Sequence, residues 1–413
     1  MRIIADLHVH SKYARATSPR CDISGLSEGA KTKGISLIAT GDFTHPAYFN
    51  EIKRDLAEGD GGIYAHNGIG FILSTEVAVS FEFKGKNRRM HHVILAPSLD
   101  VAGQINDRLS RYGDLKADGR PMLGISSVNL ATELFSISKD IMLIPAHAWT
   151  PWFSIFGSRG GVDSVEEAFE DQAKNIHALE TGLSSDPSMN HMVSALDRYT
   201  LLSNSDAHSL EKLGREANVF ELGSLTYKSL TDAIKTRKGF VKTYEFYPEE
   251  GKYHYDGHRD CGIILSPSES KSRKDICPAC RKKLTVGVLH RVSDLADRKL
   301  GFKPDGAVPF QHIVPLITVI SKALKKPETS VAVAEEYSRL VKYFGNEFAV
   351  YEAPEAQLRL GTSPAIADAL IKVNGGHVRW IPGYDGVFGQ LILDDSQPGR
   401  GALDRSQKSL SDF

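Results

Sequence analysis

From the first residues to about position 246, short apolar runs alternate with segments of helical spacing. The runs are RIIA at the start, then ISLIATGD (35–42), GFILSTEVAV (70–79), MHHVILA (90–96), IMLIPAHAW (141–149), IHALETG (176–182) and TLLSNSDAH (200–208). They are rich in β-branched residues and read as buried strands. Helical stretches such as DISGLSEGAKTKG (22–34) and SVEEAFEDQAKN (164–175) separate them. Alternation of this kind predicts an α/β fold, a parallel sheet or barrel with helices outside. In that architecture chemistry collects at the carboxyl ends of the strands. The polar residues of these runs fall at those ends.

The pattern changes at YEFYPEEGKYHYDGH (244–258). A basic, cysteine-containing segment follows, and then helical stretches at 309–324, 328–345 and 363–376. The expected organisation is a barrel over 1–246, a zinc-binding module over 247–303, a helical substrate-binding domain over 304–396, and a flexible tail over 397–413. A chain of 413 residues is long enough for two or three such units. No run of about 18 apolar residues is present to span a membrane, and no secretory signal is visible. The expectation is a cytoplasmic, nucleoid-associated monomer. Net charge is −1, so a nucleic-acid partner would need a local basic surface.

Fifteen histidines are more than packing requires, and their placement decides what they mean. In ADLHVHS, residues Asp6, His8 and His10 alternate, so all three side chains point the same way. Further candidates at strand ends are Asp42, Glu76, His91 or His92, His147, Asp206 and His208. Imidazole and carboxylate together suit zinc, manganese or iron, and a carboxylate can bridge two ions. Two close ions clamp a phosphoryl group. One such histidine is ordinarily a hydrogen-bonded core residue; seven or eight of these residues on different strands point to a multinuclear metal site.

These residues also carry a resemblance. DLHVHS, TGDFTHP, STEV, HHVIL, PAHAW and NSDAH, in that order over about residues 1–245, resemble the motifs of the PHP (polymerase and histidinol phosphatase) metal-dependent phosphoesterases. The resemblance implies a distorted (β/α)7 barrel holding two or three divalent ions (Zn, Mn or Mg). By motif position the metal ligands would be His8, His10, Asp42, Glu76, His92, His147, Asp206 and His208. His8, His10, Glu76, Asp206 and His208 would form the catalytic core, with Glu76 as the bridge. Two departures stand out. Many members have histidine where Asp42 stands, and KYARATS lacks the further ligand histidine, which argues against a third ion. Arg15 in that stretch could meet a phosphate. His45 is a candidate for ordering the site, as are Glu180 and Asp186.

HRDC (258–261) and CPAC (277–280) form H-x2-C and C-x2-C pairs fifteen residues apart. Paired ligands at this spacing wrap a tetrahedral structural zinc, here through His258, Cys261, Cys277 and Cys280, with His254 as an alternative to His258. Residues 259–303 carry eleven basic against five acidic side chains, a local surface suited to phosphate backbones. EGKYHYDGHRDC, CPACRKKLTVGVLHRVSDLADR and IPGYDGVFGQL resemble the endonuclease Q branch of the family. That resemblance implies a DNA-repair nuclease that nicks on the 5′ side of deaminated bases or abasic sites, in damaged double- or single-stranded DNA. Arg291, Arg298, Tyr384 and Asp385 are the expected substrate contacts. Gln407, Leu410 and Phe413 resemble a sliding-clamp-binding motif. The competing expectation is a small-molecule phosphatase with the same barrel.

Overall fold

The computed structural model describes residues 1–393 and a short strand at Leu403–Asp404; Gln407, Leu410 and Phe413 lie outside the described residues. The chain forms two compact units. The first comprises Met1–Lys31, Ile35–Tyr244 and Arg291–Phe310; the second comprises Thr32–Gly34, Glu245–His290 and the chain from Gln311 onward. The fold is mixed α/β.

In the first unit, β1 (Arg2–Asp6) buries Ile3, Ile4 and Ala5. It pairs in parallel with β2 (Leu37–Ala39), which pairs in parallel with β3 (Ile69–Phe83). β3 turns back directly into β4 (Lys86–Ala96), and β4 pairs antiparallel with β5 (Met142–Pro145). This part departs from the expected parallel sheet or barrel by running antiparallel. A two-residue connection leaves no room for the crossover that parallel strands need. That connection is Lys84-Gly85, with φ of 52° and 70°. Positive φ at both central residues makes a turn that matches the twist of the flanking strands. β6 (Ala178–Glu180) and β7 (Thr200–Leu202) form a parallel pair. β8 (Ala217–Glu221) closes against β1 and β9 (Phe240–Glu245), antiparallel to both.

Side-chain caps start the helices of this unit. Ser98 accepts from the Val101 N–H to open α1 (Leu99–Leu109), and Ser126 accepts from Asn129 to open α2 (Ser127–Ile137). α1 buries Ala102, Ile105 and Leu109, one face at helical spacing. Each large apolar side chain so buried contributes about 1.5–3 kcal/mol. The expected helix at 164–175 is a short α-turn, Val165–Phe169, followed by a 3-10 turn.

The second unit contains a small hairpin, Asp256–His258 with Ile263–Leu265. The helices after it include Leu316–Leu324, Val331–Phe344, Glu347–Glu352, Glu355–Gly361 and Pro364–Asn374. Glu347 is buried among them and accepts from Lys33 Nζ at 2.6 Å, Tyr337 OH at 2.6 Å and Tyr351 OH at 2.8 Å. Burial raises the pKa of this carboxyl, but the Lys33 charge and the three donors outdo it and hold it below the usual range. Among the described residues no helix is long and apolar enough to cross a membrane.

Candidate metal centre

Beyond β1 the chain runs beside the segment after β7. Val9 bridges Ala207, the His10 N–H donates to Ala207 O at 3.0 Å, and the Asp206 N–H donates to His8 O at 2.9 Å. This juxtaposition delivers Asp206 to the two histidines. His10 Nε2 lies 3.0 Å from Asp206 Oδ1 and 3.2 Å from Glu76 Oε2; His8 Nε2 lies 3.5 Å from the same glutamate oxygen. His8 Nε2, His10 Nε2 and Asp206 Oδ1 are buried without a hydrogen-bond partner. Buried polar atoms are normally satisfied, so three orphans aimed at one point mark a place for a cation. The other oxygen, Glu76 Oε1, faces His91 Nδ1 at 2.8 Å and His147 Nε2 at 3.1 Å. One carboxylate thus joins two imidazole pairs, an arrangement that fits two divalent ions with nitrogen and oxygen donors.

The imidazoles are held from behind. His8 Nδ1 contacts Glu180 at 2.9 Å, and His10 Nδ1 contacts Asp42 Oδ1 at 2.9 Å. A carboxylate on the far nitrogen fixes the tautomer and turns Nε2 inward. Asp42, His147 and Asp206 have φ of 44°, 30° and 48°. Such left-handed non-glycine residues cost about 1–3 kcal/mol each and cluster at functional sites. Gly182 is required where it stands, since a Cβ would come within 2.6 Å of His147 Cβ. Burial alone would push the His8 and His10 imidazoliums down, but the Glu180, Glu76, Asp42 and Asp206 carboxylates reverse this and hold both well above the usual histidine range. Burial carries His91 the other way, down to about 4. Glu76 is held well below the usual range: burial opposes this, and His91 and His8 overcome it.

Two expected ligands are corrected. His92 stands opposite Val77 and His91 opposite Ala78. Paired residues share a face and neighbours alternate, so His91 joins Glu76 while His92 turns away. His92 Nε2 meets Ser127 Oγ at 2.9 Å and its ring packs on Phe169. Asp42 has both oxygens engaged, one by His10 and the other by the Ser11 N–H and hydroxyl at 2.6 and 2.7 Å. It orients a ligand and does not face the cluster. His208 lies against His10, with ring centres 4.4 Å apart, and its Nδ1 is 3.0 Å from Asp206 O. His45 stacks on Tyr13, and Asp186 caps a helical turn by accepting from the Met189 N–H. Asp6 accepts from the Ser205 and Gly214 N–H groups behind the cluster, and burial raises it to about 6.

Three of the expected substrate contacts have partners within the protein. The Arg291 guanidinium is spent on Phe156 O, Val162 O and Asp163, and Arg298 pairs with Asp197 and lies over the Phe302 ring. Asp385 accepts from the Arg259 N–H and the Thr285 hydroxyl. In each case local acceptors or donors already satisfy the group. Tyr384 is half-buried against Gly257, and Arg15 is exposed, its N–H donating to Asp118. One residue at the cluster escaped the sequence reading: Arg120, whose Nη1 is 3.1 Å from Glu76 Oε2.

In the second unit His258, Cys261, Cys277 and Cys280 bring their ligand atoms within 4.8 Å of one another, and His258 Nδ1 is 3.5 Å from Cys280 Sγ. His258 rather than His254 joins this group; His254 is buried and stacks on Tyr255. N–H groups of Cys280 and Ala279 pull the Cys277 thiol down to about 7, toward the thiolate a zinc needs. Three sulfurs and one imidazole, with no carboxylate, fit a closed tetrahedral site.

The first cluster, with one glutamate set between two pairs of inward imidazoles, fits a metal-dependent hydrolase. No protein-family model matches the chain. A crystal structure of the lesion-specific endonuclease PfuEndoQ from Pyrococcus furiosus is 31% identical, with a TM-score of 0.87 and 96% of each chain covered. A structure of endonuclease Q with a 27-mer duplex substrate bearing an abasic lesion at the active site is also 31% identical, with a TM-score of 0.85, covering 96% of this chain and 97% of that one. The uncharacterized Bacillus subtilis (strain 168) protein YqxK is 29% identical over 417 residues, 94% of this chain and 99% of its own length. The chain belongs to the endonuclease Q family.

Proposed function

We propose that this protein is a DNA-repair endonuclease that nicks the phosphodiester bond on the 5′ side of deaminated bases (uracil, hypoxanthine, xanthine) and abasic sites. Its first unit is read as a distorted (β/α)7 barrel holding two divalent ions through His8, His10, Glu76, His91, His147, Asp206 and His208. His258, Cys261, Cys277 and Cys280 hold a structural zinc in a small module, and Arg15 and Tyr384 are candidate DNA contacts. The observation that carries this reading is the likeness, over nearly the whole chain, to an endonuclease solved with a lesion-bearing duplex.

When bound, the ions polarise a phosphate oxygen and make water a better nucleophile near neutral pH. The protein supplies the frame for that chemistry. Glu180 and Asp42 keep the His8 and His10 rings facing inward, and Glu76 offers one oxygen to each half of the site. Burial excludes bulk water from these groups and strengthens every charge interaction among them. Lesion choice follows from stacking: a damaged or missing base costs less to rotate out of the duplex, a few kcal/mol at most.

Incubating the protein with end-labelled duplexes containing uracil, hypoxanthine, xanthine, an abasic site or normal bases tests this. The expected result is metal-dependent incision immediately 5′ of each lesion and intact undamaged DNA. Release of phosphate from small esters with every duplex left whole would overturn it in favour of the phosphatase.

A further inference from the structure

We infer that Arg120 is a cation poised to exchange Glu76 for the scissile phosphate, so that the site grips its substrate as the metals load. This rests on the endonuclease reading above. Arg120 sits in the turn Asp118-Gly119-Arg120-Pro121, and that turn is fastened down on the cluster. The Gly119 N–H donates to Tyr13 O at 3.0 Å, the Arg120 N–H to Asp118 Oδ1 at 3.0 Å, and the Ala78 N–H to Pro121 O at 3.0 Å. Gly119 is needed for the approach: a Cβ there would lie 2.6 Å from Asp42 Oδ2 and 2.9 Å from Ala14 N. The backbone therefore fixes where the arginine starts, and the side chain, about a quarter exposed, reaches in from the mouth.

Its target is the revealing part. Arg120 Nη1 meets Glu76 Oε2, the same oxygen that faces His8 Nε2 and His10 Nε2. A guanidinium and a dication drawn to one carboxylate oxygen compete for it, because like charges at that range repel strongly in a buried site. Loading the site therefore weakens the Arg120–Glu76 pair. The anion that substrate binding brings is a phosphodiester, whose paired oxygens match the planar fork of arginine. Arg120 then touches the reacting group and contributes to the rate, while in the absence of DNA it opposes metal uptake. No bond is made or broken by the arginine; only its ionic partner changes.

The test uses the full-length protein with its cysteine-bound zinc retained, and has two arms. In the first, Mn2+ is titrated without DNA and followed by electron paramagnetic resonance. Arg120→Gln should bind Mn2+ roughly tenfold more tightly than the parent, and Arg120→Lys, which keeps the charge, should stay near it. In the second, at saturating Mn2+, kcat on an abasic duplex should fall on the order of 100-fold in Arg120→Gln. KM should change little, because the rest of the duplex carries most of the binding. Arg120→Lys should fall in between, since it cannot form the fork. Unchanged or weaker Mn2+ binding by Arg120→Gln would overturn the inference, as would tighter binding with a parental kcat. If the parent itself fails to incise DNA, the endonuclease reading falls, while the Mn2+ arm still decides whether Arg120 competes at Glu76.

Discussion

The His/carboxylate cluster and the Cys/His cluster are built on opposite plans. The first draws on residues as far apart in sequence as His8 and Asp206, carried by several strands and loops, and is backed by buried carboxylates. The sulfur cluster draws on two short segments, 258–261 and 277–280, attached to a hairpin of two three-residue strands. In the first, the fold makes the site. In the second, the site must make the fold, because so small a module buries little apolar surface. The same element, a divalent cation, would therefore be a reagent in one unit and a staple in the other.

The sharpest way to break this contrast is to remove one ligand from each. Glu76→Gln should lower lesion incision on the order of a thousandfold, since several kcal/mol of charge stabilisation depend on the ions it joins. Its melting temperature should stay close to parental; a large drop measured by calorimetry would mean the first unit also depends on metal for its fold. Cys277→Ser should do the reverse. Bound zinc should fall by one ion per chain, and amide exchange should speed up over residues 256–290, since zinc contributes about 10–16 kcal/mol to folding such modules. Full zinc content with normal protection would refute the staple.

Smaller changes sharpen the picture. Glu180→Gln and Asp42→Asn keep the shape but weaken the hold on His8 and His10; each should cost about 10–100-fold in metal affinity, read by Mn2+ titration. Loss confined to stability would demote both to core polar residues. The smallest effect concerns acid. Glu347 has a folded pKa below its unfolded value, so its contribution is complete above the unfolded pKa of about 4.5 and fades as pH falls through the folded value. Glu347→Gln should flatten that part of the stability-against-pH curve of the second unit, and an unchanged acid limb would show that the Lys33–Glu347 pair adds nothing there.

How much of this could be read from the chain alone depends on the range of the interaction. His8 and His10 were legible because strand alternation is local. The cysteine spacing was legible for the same reason. His91 was not, because its face is set by pairing with a different strand. The signal existed in Phe83-Lys84-Gly85-Lys86: a two-residue turn there puts Val93, and with it His91, on the Glu76 face. Asp42 has the right chemistry and position for a ligand; only the Ser11 donors, which claim its second oxygen, show that it is occupied. Arg120 sits in an irregular loop without periodicity, so nothing in its neighbourhood announces a destination more than forty residues away. The acceptors of Arg291 and Arg298 were hidden for the converse reason, since a basic side chain in a charged stretch looks free until its partners are seen.

The Lys84-Gly85 turn has one more consequence. Residues added in matched pairs at the tip of that ribbon would leave the catalytic geometry untouched. A lone insertion in either arm would rotate the far strand by half a repeat and carry His91 out of the site. Its immediate neighbour is also an imidazole, so the slipped ribbon would present His92 instead. That swap would not rescue the arm, because the same slip would turn over its whole apolar set and its pairing with the next strand.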